Sequence, residues 1–199
     1  TEINIAAFSG CRGLSSVIIP NNVLKLGMRS FYDCSGLTSV TLSEEVKNIP
    51  EKCFSYCVRL TSIRGISRIA QIGKHAFIGC NSITSLNFTI GNPERRTLII
   101  GEEAYKECIG LLSLTLPERN SIGRNAFEGC KNLMNIDTGM VKHDYSYYNY
   151  IGLTLEQYKI INKEPETYKG KSWADIKKNN PDANPNRQFT WIVPVDQRS

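Results

Sequence analysis

Residues 7–20 of this 199-residue chain read Ala-Phe-Ser-Gly-Cys-Arg-Gly-Leu-Ser-Ser-Val-Ile-Ile-Pro, and the same framework returns along most of the sequence. An aromatic residue recurs every 22 to 28 residues, a cysteine follows it by three positions, and an aliphatic residue follows the cysteine by three more. The aromatic column holds Phe8, Phe31, Phe54, Phe77, Tyr105 and Phe127. The cysteine column holds Cys11, Cys34, Cys57, Cys80, Cys108 and Cys130, and the aliphatic column holds Leu14, Leu37, Leu60, Ile83, Leu111 and Leu133.

A short alternating stretch follows these columns, as in Val40-Thr41-Leu42, and its period of two indicates a strand with one buried face. Each repeat then ends at a second aliphatic position, followed by glycine in four cases and by Pro50 in the fifth. Six repeats that agree in several columns predict stacked coils, each with one strand and one tight turn or short helix. The second aliphatic column holds Leu26, Ile49, Ile72, Ile100 and Ile122.

The pattern Ala-Phe-x-x-Cys-x-x-Leu-x-x-Ile-x-Ile-Pro, at residues 7–20 and with altered last positions at 126–136, resembles the BspA-type leucine-rich repeat. The resemblance covers roughly residues 3–137. It implies an α/β repeat architecture, a right-handed leucine-rich-repeat solenoid of about six short coils, over residues 1–138. It also implies adhesion and protein binding on secreted or surface-attached proteins of host-associated bacteria and some protozoa, with no catalytic residues and no cofactor. The expected ligand is a protein or glycan, such as host extracellular matrix.

Seven cysteines raise the alternatives of a metal site, a disulfide framework and core packing. Zinc sites need close pairs such as C-x-x-C, and only Cys53 and Cys57 come near that spacing. Side chains in one column point in parallel, whereas a disulfide needs two Cβ atoms that face one another. The sequence therefore predicts a ladder of packed thiols without metal, and Cys53 fills a column of small residues as a small hydrophobe.

The outward positions of the strands form two exposed columns, which are the predicted partner-binding face. The columns lack aromatic anchors, so binding there is expected to be weak or to use polar and water-mediated contacts. The alternative is an ordinary solvated β surface. The columns begin at Ser16 and Ile18 and end at Asn135 and Asp137. Between these ends lie the candidate binding residues Ser39, Thr41, Ser62, Arg64, Ser85, Asn87, Ser113 and Thr115.

Two further segments are secondary candidates for contacting a partner. A turn-rich charged insertion in the fourth repeat, within residues 89–97, carries Arg95 and Arg96. A tyrosine-rich segment after the repeats carries Tyr145, Tyr147 and Tyr148, and exposed tyrosines give large contact areas at low entropic cost.

Residues 139–199 leave the repeat pattern and are expected to form a small α+β cap or module. Capping-box patterns at Thr154 and Ser172 predict short helices near 155–162 and 173–179, and alternation predicts a strand over 188–195. Because an open solenoid end exposes its core and a strand edge, a cap is the favoured interpretation. A binding module built on the tyrosine-rich segment is the alternative.

The ends and the charge of the chain add three expectations. The net charge of +5 is spread out, with nine Lys/Arg against seven Asp/Glu after residue 137, so no nucleic-acid partner is expected. No apolar run approaches the roughly 20 residues that a bilayer requires, and the first residues lack the features of a signal peptide. Ile3 already stands in the column of Ile72, so further coils, or a cap and an export signal, are expected in a longer natural protein at the cell surface or outside the cell.

Enzyme chemistry has one candidate pair in the sequence, His75 and Cys80. A cysteine hydrolase needs an accessible thiolate beside a histidine, but the repeat pattern places Cys80 in the core. The two leading hypotheses are therefore a recognition protein and a structural spacer that presents the C-terminal tyrosine-rich module.

Overall fold

The computed structural model describes residues 1–88, 97–137 and 144–162. Over the first two ranges the chain forms a solenoid in which each coil has a front strand, a back strand and a tight turn. The prediction of one strand per coil is therefore wrong, because the second aliphatic position of each repeat also lies in a short strand. The front strands are β2 (Ser16–Ile18), β4 (Ser39–Thr41), β6 (Ser62–Arg64), β8 (Ser85–Asn87), β10 (Ser113–Thr115) and β12 (Asn135–Asp137). The back strands are β1 (Glu2–Ile3), β3 (Lys25–Leu26), β5 (Asn48–Ile49), β7 (Gln71–Ile72), β9 (Leu98–Ile100) and β11 (Asn120–Ile122).

All of these strands pair in parallel and join equivalent residues of successive coils. At the front, β2, β4 and β6 form one sheet and β8, β10 and β12 form another. At the back, β1 pairs with β3, and β5, β7, β9 and β11 form a four-stranded sheet. The registers pair Ser39 with Ser62 and Ile72 with Ile100, so the predicted columns are confirmed as stacked positions.

The front columns are interrupted between β6 and β8, two fully described strands that do not pair with each other. Gly65 stands in the coil position at which the preceding coil has the buried Leu42, and its φ is 88°. A short 3-10 helix follows at Ile66–Arg68, and Ile66 is 9% exposed. Ile66 therefore provides the core side chain of this coil, one position later than Leu42 does in the preceding coil. The front face consists of two three-stranded sheets.

Tight turns, rather than helices, form the third side of the described coils. In the first five turns, the backbone N–H of the aromatic residue donates to the carbonyl of a small residue in the next coil, as in Phe31 to Cys53 at 2.9 Å and Phe54 to Ala76 at 2.8 Å. Two positions before the aromatic residue the backbone is left-handed, with φ between 53° and 56°. Ala6, Arg29, Lys52, His75, Glu103 and Asn125 occupy this position.

The interior of the turn side is filled by one column of rings and one column of thiols. Phe8, Phe31, Phe54, Phe77, Tyr105 and Phe127 stack with centroids 5.0 to 5.7 Å apart and planes within 12° of each other. Each thiol from Cys34 onward in its column donates to the carbonyl of the aromatic residue in the preceding coil, as in Cys57 to Phe31 at 3.2 Å and Cys80 to Phe54 at 3.1 Å. The predicted ladder of packed thiols is confirmed.

The glycines that follow the second aliphatic column allow the coils to approach closely. A Cβ added at Gly101 would lie 2.8 Å from the carbonyl carbon of Gly73 and 2.8 Å from the nitrogen of Lys74. Since both atoms belong to the backbone of the neighbouring coil, no side-chain rotation can relieve the contact. Glycine at residue 101 is therefore required by the distance between these two coils, whereas the equivalent Pro50 lies where β3 and β5 do not pair.

We predict that Gly101→Ala lowers the free energy of unfolding by about 1–3 kcal/mol, because the methyl group forces two coils apart. Gly13→Ala is the matched control, since nothing lies within 4 Å of a Cβ added there, and its effect should stay within about 0.5 kcal/mol. Urea unfolding followed by circular dichroism measures both. Equal effects of the two variants would contradict the close-approach explanation.

Tyr105 is the exception in the phenylalanine column. Its ring is fully buried, and its hydroxyl oxygen is buried without a hydrogen-bond partner among the described residues. An unpaired buried hydroxyl costs stability because it gives up its hydrogen bonds to water. Burial also raises the pKa of the phenol.

We predict that Tyr105→Phe raises the free energy of unfolding by about 1–3 kcal/mol, because it removes the unpaired group and keeps the ring. The reciprocal variant Phe77→Tyr should lower stability, since it places a hydroxyl in the adjacent ring position. Thermal unfolding of the two variants beside the parent protein measures the effects. A less stable Tyr105→Phe variant would show that the hydroxyl has a partner.

Two helices follow the last coil, α1 (Tyr145–Tyr150) and α2 (Leu155–Ile161). The Asp144 side chain caps α1 by accepting from the N–H of Tyr147. The Thr154 hydroxyl and the Gln157 side chain form the predicted capping box of α2, so the helix expected near 155–162 is confirmed. The helix expected at 173–179 and the strand expected at 188–195 lie outside the described residues. Neither α1 nor α2 is long enough to span a bilayer.

The two helices cover the last coil and act as its cap. In earlier coils the N–H of the aromatic residue donates to the next coil, whereas the N–H of Phe127 donates to the carbonyl of Ile151 at 2.9 Å. The Gln157 amide donates to the carbonyls of Cys130 at 2.9 Å and Leu133 at 3.1 Å. Ile151 and Leu153 are buried at 1% and 2% exposure. Backbone groups and apolar surface at this end are thus satisfied by the segment that the sequence predicted as a cap.

Candidate functional site

The structure brings the eight front-face candidates into two groups of four. Ser39 aligns with Ser62 and Thr41 with Arg64 in the first sheet. In the second sheet, Ser85 aligns with Ser113 and Asn87 with Thr115. Ser62, Arg64 and Ser85 are exposed, and the other five are half-buried. The break at Gly65 separates the groups, so they form two adjacent polar patches.

The chemistry of these patches is that of a regular array of hydrogen-bonding groups. Parallel strands place equivalent residues about 4.8 Å apart, so serine and threonine hydroxyls recur at that interval. Hydroxyls and amides both donate and accept, and Arg64 adds a positive charge at one edge. Ile18, at 77% exposure, continues the column of Thr41 in the neighbouring strand β2 and adds an exposed apolar side chain beside the first patch. The arrangement suits a polar ligand that bonds to several coils.

The tyrosines of α1 lie at the cap end of the solenoid, away from the front patches in chain order. Tyr148 is 3% exposed and packs against Tyr158, with ring centroids 5.3 Å apart. Tyr147 packs edge-on against Tyr148, and burial raises the pKa of its hydroxyl to about 12. Tyr145 is half-buried beside Tyr158 at 5.5 Å.

The expectation of an exposed tyrosine segment is therefore wrong for Tyr148. Helix formation turns one face of the segment toward the last coil, and this tyrosine is used to cover it. Tyr150 is the exposed ring of α1, at 51% exposure. Arg95 and Arg96, the other secondary candidates, lie outside the described residues.

His75 and Cys80 do not form a catalytic pair. The His75 Nε2 atom lies 3.0 Å from Glu103 Oε2, while the Cys80 thiol donates to the carbonyl of Phe54 in the core. Burial raises the pKa of the Cys80 thiol, so it is protonated and inert as a nucleophile. Within the described ranges, no three His, Cys, Asp or Glu side chains cluster as metal ligands.

The thiols differ sharply in accessibility. Cys11 is exposed, whereas the other six cysteines are buried. Burial raises the pKa of Cys34 to about 11 and that of Cys53 to about 12. Since the thiolate is the reactive species, both burial and the raised pKa values protect the core cysteines.

We predict that a thiol reagent at neutral pH modifies one cysteine of the folded protein quickly, and that Cys11→Ser abolishes this fast phase. All seven thiols of the parent protein should react in denaturant. Absorbance of the released chromophore measures the count. Fast modification of four or more thiols without denaturant would contradict the packed ladder.

Sequence reasoning assigned no role to the turn side, where the structure brings together Arg29, Tyr32, Lys52 and Tyr56. These residues stand at fixed offsets from the aromatic column, two positions before it or one or two after it. Because the residue type at those positions varies from repeat to repeat, the positions do not form columns in the sequence. When the repeats are aligned on their aromatic residue, the charge at each offset from it is the signal that could locate these residues.

Parallel strands that stack from coil to coil, with one aromatic ring and one cysteine in each turn, define a leucine-rich-repeat solenoid. The chain matches six copies of the BspA type leucine rich repeat region, over residues 1–94 and 98–152, and it belongs to that family. The predicted family is thus confirmed, and the match extends into the cap.

Several solved structures are similar to this chain. A leucine-rich repeat protein from Bacteroides ovatus ATCC 8483 shares 32% identity with a TM-score of 0.63, over 76% of this chain and 37% of that one. The T. pallidum Leucine Rich Repeat protein shares 24% identity with a TM-score of 0.55, over 70% of this chain and 63% of that one. A leucine rich cell surface protein from Faecalibacterium prausnitzii A2-165 shares 19% identity with a TM-score of 0.43, over 76% and 54%.

The chain therefore spans between 37% and 63% of the length of these three proteins. No curated protein matches it.

Proposed function

We propose that this protein is a non-enzymatic recognition scaffold at a cell surface, and that it binds a protein or glycan ligand through the two front patches. The observation that carries the proposal is the register of the front strands, which places Ser39, Ser62, Ser85 and Ser113 as repeated outward hydroxyls. A ligand that lies across the coils meets equivalent groups at each step, which is how solenoids build extended binding surfaces.

Family membership supports the location and the class of ligand. The family resemblance implies adhesion and protein binding on secreted or surface-attached proteins, and we therefore propose host extracellular-matrix proteins or glycans as the class of ligand. The polar character of the patches favours contacts through hydrogen bonds and bridging water, which stabilise a complex without large apolar anchors.

A second candidate function is a structural spacer that presents the C-terminal module to a partner. The exposed ring of Tyr150 favours it, because an exposed tyrosine is a common anchor at protein interfaces. The burial of Tyr148 disfavours it, since this ring stabilises the cap. The spacer hypothesis predicts binding that does not depend on the front patches.

The test is binding to a panel of immobilised extracellular-matrix proteins and glycans, with matched variants on the two strand faces. Arg64→Glu at the front is compared with Lys25→Glu at the back, which makes the same change of charge at an exposed strand position. Ser85→Lys at the front is likewise compared with Ser121→Lys at the back. We expect the front variants to weaken binding of the parent protein's ligand by about tenfold and the back variants to leave it unchanged, because only the front groups would contact the ligand.

Binding that both pairs of variants leave intact would contradict the front-patch proposal and favour the spacer. Equal losses in both pairs would show that net charge, rather than a defined surface, determines binding. Thermal unfolding of each variant controls for damage to the fold.

A further inference from the structure

A groove with a volume of about 580 Å³ runs along the turn side of the first four coils. It is separate from the front patches, because it is lined by turn residues rather than by front strands. The basic and aromatic residues that line it are Arg29, Lys52, His75, Tyr32 and Tyr56. None of the nine residues that line it is acidic.

Three nitrogen-bearing side chains of the groove form a column because their backbones are equivalent. Arg29, Lys52 and His75 each stand two positions before the ring of their turn, with φ of 55° or 56°. The N–H of each donates to the next coil at 3.1 Å, from Arg29 to Glu51, from Lys52 to Lys74 and from His75 to Glu102. Identical backbone geometry in successive coils sends the side chains out in the same direction, about one coil spacing of 4.8 Å apart.

Positive charge along this column is carried by Arg29 and Lys52, in two successive coils. Ala6 precedes Arg29 in the column, and Glu103 follows His75. Lys52 has a carboxylate 3.4 Å away on Glu51, and His75 has one 3.0 Å away on Glu103. Arg29 has no carboxylate within ion-pair distance among the residues described, so its guanidinium keeps its five donors for a ligand.

Two tyrosines lie beside this column. Tyr32 and Tyr56 pack edge to face with centroids 5.7 Å apart, and Tyr56 remains 40% exposed. An exposed ring offers a flat apolar face, and its hydroxyl donates and accepts hydrogen bonds. A sugar ring complements both features, since its apolar C–H faces pack on an aromatic ring and its hydroxyls form hydrogen bonds.

We infer that this groove binds an acidic glycan, with carboxylate or sulfate groups on successive sugar units paired to Arg29 and Lys52 and a sugar ring packed on Tyr56. The coil spacing supports a glycan over an acidic peptide. Side chains on one face of an extended peptide recur every two residues, about 6.6 Å apart. That distance exceeds the spacing of the cations, whereas the length of one sugar unit is close to the spacing of the cations. The inference does not depend on ligand binding at the front patches.

The test is binding of the intact chain to two anionic probes, dextran sulfate and oligogalacturonate, with uncharged dextran as the reference. Sulfate and carboxylate sources are distinguished by which probe binds more tightly. We expect binding of at least one anionic probe, weakening as salt is raised, and no binding of dextran. Titration calorimetry measures the affinities.

Matched variants locate the site. Arg29→Gln with Lys52→Gln removes two charges from the groove, and Arg124→Gln with Lys25→Gln removes two exposed charges elsewhere. The groove double variant should lose about tenfold or more in affinity, because charge-assisted hydrogen bonds are lost, and the control should change little. Tyr56→Leu should also weaken binding, whereas Tyr150→Leu on the cap should not. Unfolding temperatures confirm that every variant is folded.

Three results would overturn the inference. One is the absence of binding to both anionic probes at low salt, and another is an equal loss in the groove and control variants. The third is tighter binding of poly-glutamate or of oligothymidylate than of either polysaccharide, which would assign the groove to an acidic peptide or to single-stranded nucleic acid.

Discussion

The close approach of one coil to the next is the constraint on which the rest of the structure depends. Backbone hydrogen bonds join successive coils at the front strands, the back strands and the turns, and they fix the stacking distance at about 4.8 Å. Flat rings and small side chains fit that distance, which is why phenylalanine, alanine and cysteine recur inside the turns. Glycine is needed where the back of one coil touches its neighbour, as at Gly101. The stacking distance thus determines which residue types recur in the columns of the sequence.

The same hydrogen bonds stabilise a backbone that single residues disfavour. A non-glycine residue in the left-handed region costs about 1–2 kcal/mol, and each turn has such a position two residues before its ring. Because the inter-coil bonds hold this geometry, the side chain there is not needed for the fold. Alanine, arginine, lysine, histidine, glutamate and asparagine all occupy it. The turn side can therefore vary its surface chemistry from coil to coil while the scaffold stays constant.

Sequence periodicity predicted the coils, the strand registers, the thiol ladder and the helix after Thr154, because each of these depends on residues that repeat or on a local capping pattern. It did not predict features that depend on contacts between coils. Lys52 and Glu103 carry no local signal for a left-handed backbone, which tertiary hydrogen bonds impose. Gly65 in a core column was a visible sign of the break in the front face, and Asp144 was one for α1. Tyr148 belongs to a tyrosine-rich segment with weak helix propensity, and only packing on the last coil explains its burial.

The column of free thiols has a consequence for how the chain reaches its folded state. Six cysteines are buried once the coils have stacked, but in the unfolded chain all seven are open to oxidation. In an oxidising solution, folding is thus a kinetic competition between coil stacking and the formation of non-native disulfides, which thiolate attack produces over seconds to hours. Stacking needs contacts only between neighbouring coils, so each added coil removes its own thiol from that competition. The coil contacts that build the solenoid therefore also protect six of its seven thiols from oxidation.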